Sequence, residues 1–240
     1  MDALFANWHH LSFSGDGWGW NLARGLASTL QIALGAYLLG LTIGLFGAIG
    51  KLDGSRLTKW VLEVYTTLGR AIPELVLILL LYYAGTGFIN QLLEAMGYRP
   101  IDISGLVAGI AVLGIVQGAY SIEVIRGAIL VVPRGQVEAA EAFGMSRWMI
   151  LRRITLPAML PHALPGLSNL WLIVTKDTAL LAVVGFSELA LTTRQAAGAT
   201  RAYFMFFFVA ALIYLCLSLL SNEIFRRLEK RARRGHPELG

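Results

Sequence analysis

The sequence predicts an all-α integral membrane protein with five transmembrane helices, and three observations support this prediction. Hydrophobic residues make up 56% of the 240 residues, and the mean hydropathy is +0.64. Charged residues make up only 15%, well below the roughly 25% that is usual in soluble domains. The apolar residues are gathered into stretches of about 20 residues or more, the length that a helix needs to cross the hydrocarbon core. We therefore expect one transmembrane domain over residues 1–240.

The apolar stretches predict spans at 22–49, 57–84, 103–126, 160–186 and 203–225. In the first span, small residues recur at every fourth position, namely Ala36, Gly40, Gly44 and Ala48. Such a smooth stripe lets another helix approach closely. The second span contains Pro73, which is expected to break or kink the helix because proline has no backbone donor.

Several charged and polar side chains fall deep inside these spans. Arg70 lies about 16 Å along the second span at 1.5 Å per residue, and an unpaired charge at that depth costs about 3 kcal/mol or more. Glu74, four residues later, can pair with it. Lys176 and Asp177 are adjacent and point around their helix, so each needs its own partner. The residues that we expect to line a polar pathway are Arg70, Glu74, Gln117, Asn169, Lys176, Asp177 and Thr178. A purely structural role, above all an Arg70–Glu74 pair, explains these residues almost as well.

A polar and basic segment, 133–158, separates the third span from the fourth. Residues 136–143 predict a short helix that ends at Gly144, because glycine readily adopts the left-handed closing conformation. Ser146 is expected to cap a second helix over 147–154, and Pro157 to stop it. Near the end of the third span, before this segment, Glu123 and Arg126 are expected to pair locally or to frame the segment.

The surface of the first of these short helices is suited to docking. Ala139 and Ala140 have small side chains that leave the helix surface smooth. Glu138 and Glu141 can form ion pairs with basic groups on another protein. The alternative is an ordinary connector that its arginines hold at the lipid surface. From residue chemistry alone the two interpretations are about equally good.

The distribution of Lys and Arg predicts the orientation of the chain. The loop 51–59 holds three of these residues, the segment 127–158 four and the tail 226–234 six, against three in the loops on the other side. Because cytoplasmic loops are enriched in Lys and Arg, the N terminus is expected outside and the C terminus inside. The segment 133–158 is then cytoplasmic. This topology also accounts for the net charge of +5, so no nucleic-acid partner is expected.

Motifs for catalysis and metal binding are missing from the sequence. It contains no GxxxxGK[ST] phosphate loop, G-x-S-x-G, HExxH or CxxC, and Cys216 is the only cysteine. We expect neither catalytic residues nor a metal site in this chain. Any ATP hydrolysis must then come from another chain.

The spacing within 135–157 resembles the cytoplasmic EAA loop of the membrane subunits of binding-protein-dependent ABC importers. The positions that carry this resemblance are Glu138, Ala139, Ala140, Gly144, Ile154, Leu156 and Pro157. Four longer stretches resemble the polar amino acid permease family: GKLDGSRLTKWVLEVYTTLGRAIPELVLILL, IDISGLVAGI, GAYSIEVIRGAILVVPRGQVEAAEAFG and LPGLSNLWLIVTKDTALLAVVGFSEL. Within that family the chain is most similar to the Q-type permease subunits for histidine and lysine-arginine-ornithine, and to their opine-uptake relatives.

The resemblance implies the type I ABC importer permease fold and a multi-pass location in the bacterial inner membrane. It also implies a complex with a second, sister permease subunit, either identical or different, with two copies of a cytoplasmic ATP-binding subunit, and with a periplasmic amino-acid-binding protein. In the family the EAA loop docks into a groove on the ATPase. This assigns ATPase coupling to Glu138, Ala139, Ala140, Phe143 and Gly144. ATP and Mg²⁺ belong to the ATPase subunit, and this chain is expected to bind no cofactor.

The expected function is ATP-driven alternating access for a basic amino acid (histidine, arginine, lysine or ornithine) or an opine, with another polar amino acid as the alternative. Glu74 and Asp177 are candidates to meet a basic side chain, and Arg70 or Lys176 to meet the α-carboxylate. Three other interpretations compete. The first is a channel or secondary transporter, which repeat symmetry between the two halves would favour; the sequence shows no such symmetry. The second is a membrane enzyme, which would need paired catalytic groups at one depth, and the sequence does not offer them. The third is a passive scaffold whose sister permease holds the solute.

Overall fold

A computed structural model describes residues 8–101 and 103–233 of the chain. These residues form nine α-helices and no strand. The helices are α1 Gly19–Asp53, α2 Arg56–Ala71, α3 Glu74–Ala95, α4 Gly105–Val131, α5 Arg134–Ala142, α6 Arg147–Ile150, α7 Leu156–Asp177, α8 Leu189–Thr200 and α9 Tyr203–Ala232. Short 3₁₀ helices cover Trp8–Leu11 and Thr178–Val184, and a π-helix covers Leu151–Thr155. Arg234, at the end of the basic tail, and residues 1–7 of the chain lie outside the described residues.

Five helical segments of the described chain are long and apolar enough to cross a membrane, which confirms the predicted number. They are Gly19–Asp53, Glu74–Ala95, Gly105–Val131, Arg147–Val184 and Tyr203–Ala232. The first and last helices extend beyond the predicted spans because helix-forming polar residues continue them. In α9 the basic residues after residue 225 stay helical, held in part by bonds from Arg226 and Arg227 to Glu223.

The predicted second span, 57–84, is two separate helices. Ile72 follows the end of α2 and Pro73 precedes the start of α3, with extended backbone at Ile72. The break expected at Pro73 is therefore confirmed, but the predicted limits of the span are wrong. The membrane-capable helix is α3, which runs on to Ala95. The more charged α2 packs along α4, where Gly69 lies against Ala119.

The predicted stop at Pro157 is also wrong. α6, the π-helix and α7 form one continuous helical segment from Arg147 onward. At the end of the π-helix the Leu156 amide donates to the Leu151 carbonyl, five residues back. This wider turn shifts the hydrogen-bond register just before Pro157. Pro157 then lies in the first turn of α7, and proline is tolerated in the first turn of a helix although it has no N–H donor. The predicted cap of α6 is confirmed, since Ser146 Oγ accepts from the Met149 amide at 3.4 Å.

The packing of α1 against α4 forms the centre of the molecule and confirms the predicted stripe of small residues. A Cβ atom on Gly40 would lie 2.7 Å from Gln117 Cγ, and one on Gly44 would lie 2.5 Å from Ser121 Cβ. Around this contact, side chains from α1, α3, α4 and α7 form the largest buried apolar cluster, which includes Ile32, Ile78, Leu113 and Val174. The two helices are closer than any larger residue in the stripe would allow.

We predict that Gly44→Ala lowers the stability of the protein, whereas Gly127→Ala does not. The added methyl of Gly44→Ala must displace Ser121, whose Cβ and carbonyl carbon would lie 2.5 and 3.0 Å away. Overpacking of this kind costs about 1–3 kcal/mol. Gly127 has no atom within 4 Å of an added Cβ, so alanine there gains helix propensity of about 1 kcal/mol. Thermal unfolding of the purified variants measures the difference, and equal midpoints would contradict the close contact.

Candidate functional site

The two charged side chains that flank the helix break do not pair with each other. Arg70 Nε donates to the Thr66 carbonyl within its own helix at 3.0 Å. Glu74 Oε1 instead accepts from the Tyr120 hydroxyl on α4 at 2.8 Å. The ion pairs of the described residues do not include Arg70 with Glu74. The simplest structural explanation of these two residues is thus absent from this structure.

Both charges are complementary to the helix ends on which they lie. Arg70 is in the last turn of α2, where the helix dipole is negative, and Glu74 is the first residue of α3, where it is positive. Each charge is therefore favoured by the backbone around it without an oppositely charged partner. The break thus carries one cationic group on the helix end before it and one anionic group on the helix end after it.

Asp177 joins this group from the end of α7. Asp177 interacts electrostatically with Glu74 and with its neighbour Lys176, and Tyr120 interacts with Glu74, Asp177 and Arg70. Asp177 is half-buried, whereas Arg70 and Lys176 are exposed. Glu74 thus bonds to the Tyr120 hydroxyl, and Asp177 lies within electrostatic range of both groups.

The three neutral residues predicted for the pathway are placed differently. Gln117 is 3% exposed, and its Nε2 donates to the Leu170 carbonyl of α7 at 3.0 Å. Thr178 is fully buried, and its hydroxyl donates to the Thr175 carbonyl at 2.8 Å. The Gln117 side chain therefore joins α4 to α7, the two helices that carry Tyr120 and Asp177, whereas the Thr178 hydroxyl bonds back to the end of α7. Asn169 is exposed on α7.

The segment 133–158 presents an exposed knob formed by α5 and the residues that end it. Gly144 has φ +72°, the left-handed conformation predicted for the residue that closes this helix. Glu138 and Ala139 are exposed, and Phe143 is 88% exposed, whereas Ala140 is buried. A fully exposed phenylalanine beside low-relief alanine makes an apolar projection of the kind that fits a pocket on another protein.

This knob lies at the same end of the molecule as the C-terminal ends of α1 and α4. A cavity of about 480 Å³ separates them, lined among others by Asp53, Ile129, Arg134, Glu138 and Arg147. The predicted local pairing of Glu123 with Arg126 is confirmed at 2.8 Å near this end of α4. The basic loop after α1 and the knob therefore occupy one side of the bundle, in agreement with the charge distribution along the chain.

Sequence reasoning missed two residues that the structure makes important, Tyr120 and Glu188. Tyr120 lies in the same polar run of the third span as Gln117, but nothing in the sequence says that its hydroxyl meets Glu74. Glu188 is fully buried and accepts from the amides of Ala190 at 2.8 Å and Leu191 at 2.7 Å. The sequence could have indicated this role for Glu188 only by its position, since it is a carboxylate directly before a helix, where N-cap residues lie.

Glu188 ties the start of α8 to two membrane helices. Thr29 of α1 donates to Glu188 at 3.4 Å and accepts from the Leu189 amide at 3.1 Å. Tyr214 of α9 donates to the same carboxylate at 3.3 Å. Burial raises the pKa of Glu188, and the two backbone amides oppose that shift because they stabilise the charged form.

Known proteins resemble this chain over most of its length. The family described as "Binding-protein-dependent transport system inner membrane component" matches residues 36–234. The histidine/lysine/arginine/ornithine transport system permease protein HisQ of Escherichia coli strain K12 is 42% identical over 210 residues, covering 88% of this chain and 92% of HisQ. The nopaline transport system permease protein NocQ of Agrobacterium fabrum strain C58 is 39% identical over 238 residues, covering 98% of each chain. A crystal structure of an amino acid ABC transporter with histidines has a chain that is 30% identical, with a TM-score of 0.74 over 89% of this chain and 95% of that one.

We predict that Glu188→Ala frees the start of α8 from α1. The variant removes the acceptor of two helix N-terminal amides, and the loss of such a cap costs about 0.5–2 kcal/mol. Amide hydrogen exchange across Leu189–Thr200 should therefore become faster. Glu94→Ala, which removes an exposed carboxylate near the end of α3, is the matched control and should leave exchange in α8 unchanged. Equal exchange in both variants would contradict this role of Glu188.

Proposed function

Because this chain belongs to the family of binding-protein-dependent transport system inner membrane components, we propose that it carries basic amino acids or opines through the membrane by ATP-driven alternating access. The chain is a permease subunit of a polar amino acid ABC importer and a multi-pass protein of the inner membrane. The observation that carries the finer proposal is the convergence of Glu74, Tyr120 and Asp177 beside the helix break at Pro73.

The chemistry of this cluster favours a cationic side chain. Glu74 and Asp177 are close enough to interact, so a solute that brings a positive charge between them relieves their repulsion. A neutral amino acid would leave that repulsion in place. The α-carboxylate of the solute would meet Arg70 or Lys176, which lie at the margin of the cluster and are exposed. The names of HisQ and NocQ support this solute class, since the first refers to basic amino acids and the second to an opine.

A continuous helical segment connects the knob to this cluster. It begins at Arg147, three residues after Gly144, and reaches Asp177 through the π-helix and α7 without interruption. At 1.5 Å per residue the segment from 147 to 177 is roughly 45 Å long. A displacement of the knob would therefore reach Asp177 along this one segment, in which the π-helix and the two prolines inside α7, Pro161 and Pro165, are the points where it can bend. We propose that an ATPase subunit provides that displacement by gripping Glu138, Ala139, Phe143 and Gly144, with Ala140 as the buried support, while the second copy of the ATPase grips the sister permease.

We also propose an orientation and a set of partner subunits for the chain. The N terminus faces outward and the C terminus inward, which places the knob in the cytoplasm with the basic loop after α1. ATP and Mg²⁺ are bound by the ATPase subunits, and this chain itself binds no cofactor. A sister permease completes the pathway, and a periplasmic binding protein delivers the solute from outside.

We predict that Gly144→Asp abolishes transport while the protein still inserts into the membrane. An aspartate at φ +72° is strained, and its charge alters the surface that the ATPase would grip. In proteoliposomes that contain the complete complex, ATP-driven uptake should fall at least ~10-fold, within the usual range of coupling energies. Liposomes that hold this chain alone should show no uptake.

Gly97→Asp is the matched control for this variant. Gly97 has φ +82° and no atom within 4 Å of an added Cβ, as at Gly144, but it lies in the loop after α3, on the side predicted to face outward. Its uptake should be near that of the wild type. Normal ATP-driven uptake by Gly144→Asp, or uptake by this chain alone, would contradict the coupling mechanism.

We also predict that Asp177→Asn weakens binding of a cationic amino acid selectively. Loss of one carboxylate from a desolvated charge contact costs about 2 kcal/mol or more, which is a tenfold or larger drop in affinity. The purified complex without its binding protein should therefore lose affinity for labelled arginine, whereas binding of labelled glutamine should change little. Glu94→Gln, at an exposed carboxylate of α3, is the control. Equal losses for arginine and glutamine would indicate that Asp177 is structural or that the sister permease holds the solute.

A further inference from the structure

A buried lysine joins three helices at the end of the bundle that carries the knob. Lys51 lies in the last turn of α1, and its side chain is only 5% exposed. Its ammonium group donates to Glu63 Oε2 at 2.7 Å, to Thr66 Oγ1 at 2.7 Å and to Glu123 Oε1 at 2.6 Å. An ammonium group has three N–H donors, so each of them has a partner. Two of these partners lie on α2 and one on α4.

The charges around Lys51 are balanced. Glu123 uses its second oxygen to accept from Arg126 Nη2 at 2.8 Å, so two carboxylates, Glu63 and Glu123, face two cations, Lys51 and Arg126. The Lys51–Glu123 pair is shielded, with side-chain exposures of 5% and 18%, whereas Glu63 is 65% exposed. Removal of one member of a buried ion pair leaves an uncompensated charge and is strongly unfavourable, so Lys51–Glu123 is the stronger of the two links. The network therefore holds α1, α2 and α4 in one relative arrangement.

The network extends from Lys51 to both sides of the helix break. On α2, Thr66 accepts from Lys51 through its hydroxyl and from Arg70 through its carbonyl oxygen, at 2.7 and 3.0 Å. On α4, Glu123 lies one turn from Tyr120, whose hydroxyl donates to Glu74 at 2.8 Å. Arg70 before the break and Glu74 after it are thus both connected to Lys51, through different helices.

The network adds to two other contacts that hold α2 against α4. The Tyr65 hydroxyl donates to the Ile115 carbonyl, and Gly69 lies against Ala119. Only Thr66 and Gly69 of its residues are buried. At the break, the Ile72 amide bonds back to Leu68 within α2, and the Val76 and Leu77 amides bond to Pro73. The hydrogen bonds on the two sides thus close within their own segments, so α3 does not orient α2 through a shared helical ladder.

We propose that Lys51 is a positioning residue, which fixes α2 against α4 and so sets the separation of Arg70 and Glu74 across the break at Pro73. Its consequence for transport rests on the proposed function: without the anchor, the cluster beside the break would no longer respond to the knob as one unit. The structural part of the proposal stands apart from transport and can be tested without it.

The test compares Lys51→Met with Lys59→Met in the assembled complex. Lys59 is an exposed lysine of α2 that takes part in no ion pair of the described chain, so both variants lose one positive charge from the same region. Hydrogen exchange should accelerate in Lys51→Met from residue 51 up to the break, at 68–74, at least ~5-fold. It should remain as in the wild type in Lys59→Met. Faster exchange confined to 51–63 would overturn the proposal.

Two further variants keep the proposal testable if Lys51→Met fails to assemble. Thr66→Val preserves shape and all charges but removes the acceptor that links Lys51 to α2, and it should also speed exchange at 68–74. Lys51→Arg keeps the charge and should restore most of the protection. If Thr66→Val leaves exchange at 68–74 as in the wild type and Lys59→Met, Lys51 does not act through Thr66, and the proposal is overturned.

The same complexes then report on transport. In Lys51→Met, uptake per assembled complex should fall about tenfold while ATP hydrolysis persists, since coupling energies of 1–3 kcal/mol correspond to 5- to 150-fold effects. Lys51→Arg should recover part of the uptake. A merely structural role would lower uptake and hydrolysis together, in proportion to the amount of complex, and would contradict the positioning role. Faster exchange at the break with unchanged uptake would instead contradict the link to the proposed function.

Discussion

The structure depends on one constraint, the interruption of a helix at Ile72 and Pro73 inside a bundle whose surroundings are apolar. In hydrocarbon every backbone polar group needs an internal partner, so irregular backbone survives only where protein or a wet cavity surrounds it. Here the amides next to the break bond back within their own segments. The opposed helix ends then attract opposite charges, Arg70 to one and Glu74 to the other. The proposed site for a charged solute lies beside this interruption of the helix.

The rest of the fold provides a rigid frame for this break. Small residues along α1 let it approach α4 so closely that Gly44 and Ser121 are in contact. The Gln117 side-chain amide donates a hydrogen bond to the backbone of α7, which fixes that helix to α4 as well. The helix α2 has few buried residues, and three contacts hold it against α4: the Lys51 ammonium group, which bonds to both Thr66 and Glu123, the hydrogen bond from Tyr65 to Ile115, and the close approach of Gly69 to Ala119. Packing and charge pairing therefore act together on the helix that precedes the break.

The helical segment that starts at Arg147 connects the knob to Asp177. Pro157 would normally end such a segment, but the π-helix before it shifts the hydrogen-bond register and the helix continues to Asp177. Asp177 and Glu74 lie on separate helices, so a movement of one relative to the other would change the electrostatic interaction between them. The proposed coupling of the knob to the cluster depends on this arrangement.

The sequence by itself determined the features that depend on local chemistry. Five apolar stretches predict five spans because their length must match the bilayer. The small residues every fourth position predict close packing, Gly144 predicts a left-handed helix end, and Ser146 predicts a cap, since each property belongs to a residue and its immediate neighbours.

The tertiary structure alone decided which polar groups meet. Glu74 bonds to Tyr120 and not to Arg70, Thr178 bonds within its own helix, and Glu188 caps α8 against α1 from a position that the sequence did not single out. The helix likewise continues past Pro157 because of the π-helix at Leu151–Thr155, which the local sequence does not predict. A hydrogen bond needs its two partners within about 3 Å, and the packing of helices far apart in the chain sets that distance.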